Sequence, residues 1–381
     1  MKDRNILKVL YAGPFETNGV YKGGIAVVVN SVLSFSKLSK DANVDLIPFN
    51  TCPVPRRANN QGKIKFENIN NTIRILTSLI QRANREKADC IYYNSSSGIP
   101  LLKDLIILRL AQIFSKSKTI VHIHYAEMEK VLPKRLLLNK WVFRLLKRMD
   151  GVVFLSQETN NRFIQAGLDK EKTTTIYNFH TLDIKPEDIE KKVKNKKKRA
   201  ILDIVFLGSI SKRKGILDLL EALENTSDPF FLHVCGTATD DNVEKQFEER
   251  KDNIKKGIII QHGYVTGNEK KEILISGDVL ILPSYAEGFP LVLLEAAAAG
   301  CAIISTRVGA VSEVFDSRNG RIIDPGNIKQ LTGAIEQIAS EDLEKLFRTN
   351  YMLSKKFTLQ SFIDNTNSFI ERICTVDKRV L

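Results

Sequence analysis

Residues 287–295 read Glu-Gly-Phe-Pro-Leu-Val-Leu-Leu-Glu, two carboxylates with seven residues between them. The apolar run before them, residues 279–284, predicts a buried strand. The run after them, residues 291–299, predicts a helix that stops at Gly300. Pro290 suits the first helical position, where its missing N–H would have no partner. The loop therefore ends in a helix N-terminus, whose free N–H groups and dipole favour an anion. Glu287 stands just before that point and Glu295 one to two turns inside the helix. Such a junction can hold a phosphate between two polyols. Taken alone, Glu295 has an equal second reading, a helix-edge carboxylate in water.

Other residues with chemical potential are scattered along the chain. Gly23-Gly24 follow a loop rich in helix breakers and precede a helical pattern from Ile25. They permit a close backbone approach to a phosphate or sugar, and equally a tight turn. His124 ends a strand-like run, with His122 on the same face one pleat earlier. No third ligand is evident beside them, so a metal site is not expected. A strand-end His124 can instead hydrogen-bond a sugar hydroxyl. Lys214 precedes Gly215 and a helical pattern, within reach of a diphosphate. Residues 134–149 combine a leucine-rich face with Lys140, Arg144, Lys147 and Arg148. That pattern reads as a sheet-covering helix with a basic solvent side, or as a basic face for an anionic bilayer.

The elements that must position these residues alternate. Strand-like runs at residues 6–11, 44–48, 90–93, 119–124 and 152–155 are separated by helical patterns at 25–38, 66–85, 101–114 and 134–149. A lysine-rich stretch, residues 191–199, reads as a solvated connection. Strands then resume at 204–207, 230–235, 258–261, 279–282, 302–305 and 320–323, with helices including 215–223 and 268–276. The expectation is an α/β protein of two doubly wound domains, residues 1–180 and 181–356. In doubly wound sheets, ligands bind outside the C-terminal strand ends.

These segments, in this order, resemble glycosyltransferase family 4, retaining enzymes of the GT-B fold with an E-x7-E motif. Glu287 to Glu295 resemble that motif, Gly23-Gly24-Ile25-Ala26 its glycine-rich first loop and His122-Ile123-His124 its strand-end histidine. Phe206-Leu207-Gly208 with Lys214-Gly215 resemble its phosphate-binding turn, and residues 308–314 with Asn319-Gly320 its late signatures. The resemblance implies two Rossmann-like domains facing an interdomain cleft, with the final helix, residues 357–381, returning to the first. It implies Glu287, His124 and Lys214 as catalytic residues. Glu295 would accept from donor ribose hydroxyls, and backbone N–H groups of Gly288, Phe289, Leu291 and Val292 would hold sugar and phosphate oxygens beside Pro290. Gly23 and Gly24 would line the donor. The family's arginine after Gly208 is Ser209 here, with Arg213 as a candidate replacement.

The implied reaction is retaining transfer from a nucleoside-diphosphate sugar, UDP-sugar first, to a hydroxyl of a glycan or lipid-linked acceptor. No cofactor is expected, and the missing D-x-D triplet points away from a metal. A GT-B-like partner subunit and a sugar-nucleotide epimerase are the alternatives. The first has only Ser209 in its favour, and no separate acid/base set serves the second. The 381 residues carry a net charge of +13, which suits an anionic partner such as a nucleotide or an anionic membrane surface. The lysines are not interleaved with aromatics, so no nucleic acid is expected. Five dispersed cysteines and no secretory leader suggest a cytoplasmic location, at most peripheral on the membrane.

Overall fold

The computed structural model describes residues 6–15, 23–36, 43–52, 66–96, 98–125, 137–197 and 201–375. The chain forms two compact units, Met1–Tyr177 with Leu359–Leu381, and Asn178–Thr358.

The first unit is built on six parallel strands: β1 (Leu7–Gly13), β2 (Val44–Asn50), β3 (Cys90–Ser95), β4 (Lys118–Ile123), β5 (Gly151–Phe154) and β6 (Thr173–Thr175). Their order is β2-β1-β3-β4-β5-β6. One face is covered by helices that include Phe66–Glu86, Ile99–Ser115 and Leu137–Leu146, burying Leu79, Leu105, Val121, Phe154 and Phe163 together. The last helix, Leu359–Thr375, packs with this unit: Phe362 stacks on His122, and Phe369 lies against Gly151. The sixth strand is missing from the sequence expectation because its three threonines make no apolar run.

The second unit repeats the plan with β7 (Leu202–Leu207), β8 (Phe230–Cys235), β9 (Gly257–Gly263), β10 (Val279–Leu282), β11 (Ala302–Thr306) and β12 (Gly320–Ile323). Their order is β12-β11-β10-β7-β8-β9, all parallel. The chain runs outward through β8 and β9, then returns to the other side of β7 as β10. The order reverses between β7 and β10, and in such sheets that is where a ligand crevice opens.

The lysine-rich stretch differs from its reading as a solvated connection. Residues Pro186–Lys196 form a helix, with Ile189, Lys192 and Val193 buried on one side; Lys198 and Arg199 lie outside the described residues. The physical reason is the i, i+4 pair Ile189 and Val193, an apolar stripe half hidden among lysines. Lys192 is only 2% exposed. Its Nζ donates to the carbonyls of Leu274 (3.1 Å) and Ala299 (2.9 Å), and lies 3.3 Å from Cys301 Sγ. Those carbonyls end the helices Gly267–Ser276 and Leu291–Ala298, where a cation is favoured. Lys196 is also tied in, at 2.8 Å from buried Asp278.

Candidate active site

At the C-terminal end of β10 the chain makes the loop of residues 283–290 and enters the helix Leu291–Ala298. Pro290 is the N-cap, one residue before the expected first helical position, and its carbonyl accepts from Leu293 N–H at 3.2 Å. The loop is held from several sides. Arg213 Nη1 donates to Ala286 O (2.9 Å), Ala310 N to Gly288 O (2.9 Å) and Asn178 Nδ2 to Phe289 O (2.6 Å). Thr306 Oγ1 donates to Ser284 O at 2.5 Å. Phe289 is buried against Phe315 and Phe357. Gly309, with φ +54°, presses directly on this loop: a Cβ there would lie 2.0 Å from Gly288 O.

β7 ends beside it. After Gly208 and Ser209, the 3-10 turn Lys212–Lys214 leads into Gly215 at φ +70°. A Cβ on Gly215 would sit 2.1 Å from Pro283 O, so a glycine is needed for the two loops to touch. The Lys214 stem crosses Gly208. Its Nζ is 2.6 Å from Glu287 Oε1, and Arg213 Nη1 is 3.3 Å from the same oxygen. Two cations thus meet on one carboxylate at the strand-order reversal. Ser209 takes no part in that cluster; its hydroxyl pairs with Ser211 Oγ at 3.1 Å.

Glu295 is 5% exposed, which removes the reading of a helix-edge carboxylate in water. It accepts from Lys270 Nζ at 2.6 Å. Lys270 comes from the helix Gly267–Ser276 and is absent from the sequence-derived site. Nothing in the sequence separates it from Lys271, which pairs with Asp188 instead. The backbone N–H groups of Leu291 and Val292 lie in the first helical turn, where no intrahelical acceptor is available.

The first unit carries its own set. Gly23 O accepts from Val27 N at the entry to the helix Gly24–Ser36. A Cβ on Gly24 would meet nothing within 4 Å among the described residues, so their packing does not require that glycine. His124 follows β4. Its Nε2 lies 2.8 Å from Asn94 Oδ1, and its ring is 3.9 Å from that of His122. His122 Nδ1 is 2.9 Å from Tyr92 OH, while its Nε2 is buried with no partner among the described residues. Desolvation by burial pushes the His124 imidazole down to about 3, so it is neutral at ordinary pH. Among the described residues, no three His, Cys, Asp or Glu side chains are grouped to hold a metal ion.

Two families of sequence cover most of the chain: residues 36–183 match Glycosyltransferase Family 4, and residues 185–352 match Glycosyl transferases group 1. The chain belongs to glycosyltransferase family 4. Among relatives of this glycosyltransferase, an uncharacterized 41.2 kDa protein in the cps region of Klebsiella pneumoniae is 26% identical, over 92% of this chain and 96% of that protein. The putative teichuronic acid biosynthesis glycosyltransferase TuaC of Bacillus subtilis is 31% identical over 37% of this chain and 34% of its own length. The alpha-galactosylglucosyldiacylglycerol synthase of Streptococcus pneumoniae is 27% identical over 42% and 45%. Anabaena Alr3699/HepE, solved in complex with UDP, superposes with a TM-score of 0.68 at 18% identity, covering 96% of this chain and 100% of that one. The lipopolysaccharide outer core galactosyltransferase WaaB superposes equally, covering 96% and 99%. The glycosyltransferase therefore has the expected GT-B fold.

Proposed function

We propose that the protein is a retaining, metal-independent glycosyltransferase that takes its sugar from a UDP-sugar. The observation that carries this reading is the meeting of Lys214, Arg213 and Glu287 with a helix N-terminus at the strand-order reversal of the second unit. The hard step is cleavage of the anomeric C–O bond, which leaves negative charge on a diphosphate. Lys214, Arg213 and the N–H groups of Leu291 and Val292 supply fixed positive potential for that charge. An arriving diphosphate competes for the two cations, freeing the Glu287 carboxylate for sugar hydroxyls. Glu295, fixed by Lys270, receives the ribose hydroxyls. Retention proceeds on the front face, with a leaving phosphate oxygen taking the acceptor's proton. The UDP and UDP-glucose complexes of HepE support a UDP donor. The names of the teichuronic acid and diacylglycerol relatives support a glycan or lipid-linked acceptor.

A thermal-shift screen across UDP-, GDP-, ADP- and TDP-sugars, in EDTA, tests donor and metal together. A ligand at 100 times its dissociation constant stabilises by about 2.7 kcal/mol. Glu295→Gln is expected to weaken donor binding by about 1.5–3 kcal/mol, the worth of a hydrogen bond to a charged group. No response to any UDP-sugar, or activity lost in EDTA and restored by a divalent cation, would remove the donor or the charge assignment respectively.

A peripheral site on an anionic membrane is supported by a second observation. On the helix Leu137–Leu146, Val142, Phe143 and Leu146 are buried, but Leu138 and Trp141 are exposed. Ile106, Ile113 and Phe114 of the helix Ile99–Ser115 are exposed as well. Lys140, Arg144, Lys147 and Arg148 are exposed too, with Arg144 over the Trp141 ring. Lys134 to Leu136 of the predicted helix lie outside the described residues, as do residues 126–133. No described helix is long and apolar enough to cross a membrane. Each basic side chain near an anionic surface contributes on the order of 1 kcal/mol. Cosedimentation with anionic vesicles at low salt, reduced by high salt, is the expected outcome. Equal recovery with neutral vesicles would end the electrostatic part of this reading.

A further inference from the structure

The hydrogen bonds around His124 define more than its position. Asn94 sits near the end of β3, 2% exposed, with its side chain between β1 and β4. Its Nδ2 donates to Ala12 O at 3.0 Å, at the end of β1. That bond orients the amide, because a carbonyl can only accept. The amide oxygen therefore faces His124 Nε2 at 2.8 Å. An amide oxygen also only accepts, so Nε2 must carry the ring proton. In a neutral imidazole the other nitrogen, Nδ1, is then a bare acceptor.

We infer that Asn94 is a positioning residue for sugar transfer: it fixes His124 as the Nε2–H tautomer, so that Nδ1 accepts a hydrogen bond from a substrate hydroxyl. This rests on the glycosyltransferase reading and adds the direction of the bond. His124 binds as an acceptor, which a protonated ring could not do. The surroundings preserve the neutral ring. Among the described residues, the titratable groups ranged behind it are His122 of β4, Tyr92 of β3 and Tyr11 of β1. Phe362 of the last helix closes the His122 ring and brings no charge. Burial holds His122 well below its ordinary value and Tyr92 well above its own, so both stay neutral. Asp104 lies on the other face of β3, engaged by Tyr93 OH at 3.0 Å and Ser95 Oγ at 2.7 Å.

Asn94→Asp is the direct test. The aspartate keeps an acceptor towards Nε2, loses the bond to Ala12 O and adds a negative charge that favours imidazolium. Its kcat/KM is expected to fall as pH drops through neutrality, where the parent profile shows no such limb from His124. Asn94→Leu is expected to lose about tenfold in kcat/KM, the worth of one hydrogen bond, without gaining an acid limb. Two-bond proton–nitrogen NMR of His124 in the unaltered protein reads the tautomer without any substrate. An Nδ1–H tautomer there would overturn the inference even if sugar transfer is active. So would an Asn94→Asp profile parallel to the parent. A protein that binds no nucleotide sugar but shows the Nε2–H tautomer would sink the donor reading while leaving the Asn94–His124 arrangement in place.

Discussion

Lys214→Met is expected to lower kcat/KM by about 100- to 1,000-fold, the cost of removing one preorganised charge-stabilising donor from an active site. Methionine keeps the unbranched stem across Gly208, so the packing of the turn Lys212–Lys214 is retained. What disappears is the ammonium 2.6 Å from Glu287 Oε1. Arg213, at 3.3 Å and tied to Ala286 O, cannot move over without releasing the loop it holds. The loss should appear in kcat more than in KM, because the departing charge grows towards the transition state. Steady-state kinetics with the best donor from the screen, alongside circular dichroism, checks both halves. A variant within threefold of the parent would mean that Lys214 does not face the leaving group.

Gly309→Ala is expected to damage fold and site together. Its φ of +54° costs an L-residue about 1–2 kcal/mol. The added Cβ would also lie 2.0 Å from Gly288 O and 2.3 Å from Glu287 O, where overpacking adds about 1–3 kcal/mol. Relief requires the Glu287–Gly288 backbone to retreat, breaking the bond from Ala310 N and moving the carboxylate. A lower Tm with loss of donor binding is therefore expected. Gly24→Ala is the matching control, since its Cβ meets nothing within 4 Å among the described residues and the parent Tm should be kept. Equal Tm values for both variants would show that the Gly309 contact is not rigid.

The parts of this molecule that were legible in the sequence are those in which a local pattern coincides with a local structure. Residues 279–282 are a continuous apolar run, and residues 230–235 and 320–323 are apolar or glycine apart from His233 and Arg321; they are β10, β8 and β12. The pairing of Glu287 with Glu295 was visible because one turn and one helix carry both. Lys270 was not, because it reaches Glu295 only after the chain has passed through β10. Asn94 was hidden for the same reason: its partners are Ala12 on β1 and His124 just past the end of β4, both far from it in the chain. The reading of residues 191–199 as solvated fails at Lys192 and Lys196, because charge is a good guide to solvent only when the side chain has no carbonyls or carboxylate to meet. Ser209 shows the converse. Its departure from the family pattern was plain in the sequence, but that Arg213 shares Glu287 with Lys214 was not.

The helix Pro186–Lys196 presents chemically identical amines to very different surroundings. Lys191 and Lys194 are exposed, whereas Lys192 is enclosed by two carbonyls, a thiol and the Phe347 ring. Under limiting acylation, the first two would be labelled quickly and Lys192 would stay silent while the helices Gly267–Ser276 and Leu291–Ala298 keep their ends together. Those helices carry Lys270 and Glu295. Peptide mass mapping of a single lysine would thus report the integrity of the second unit, independently of any enzymatic assay.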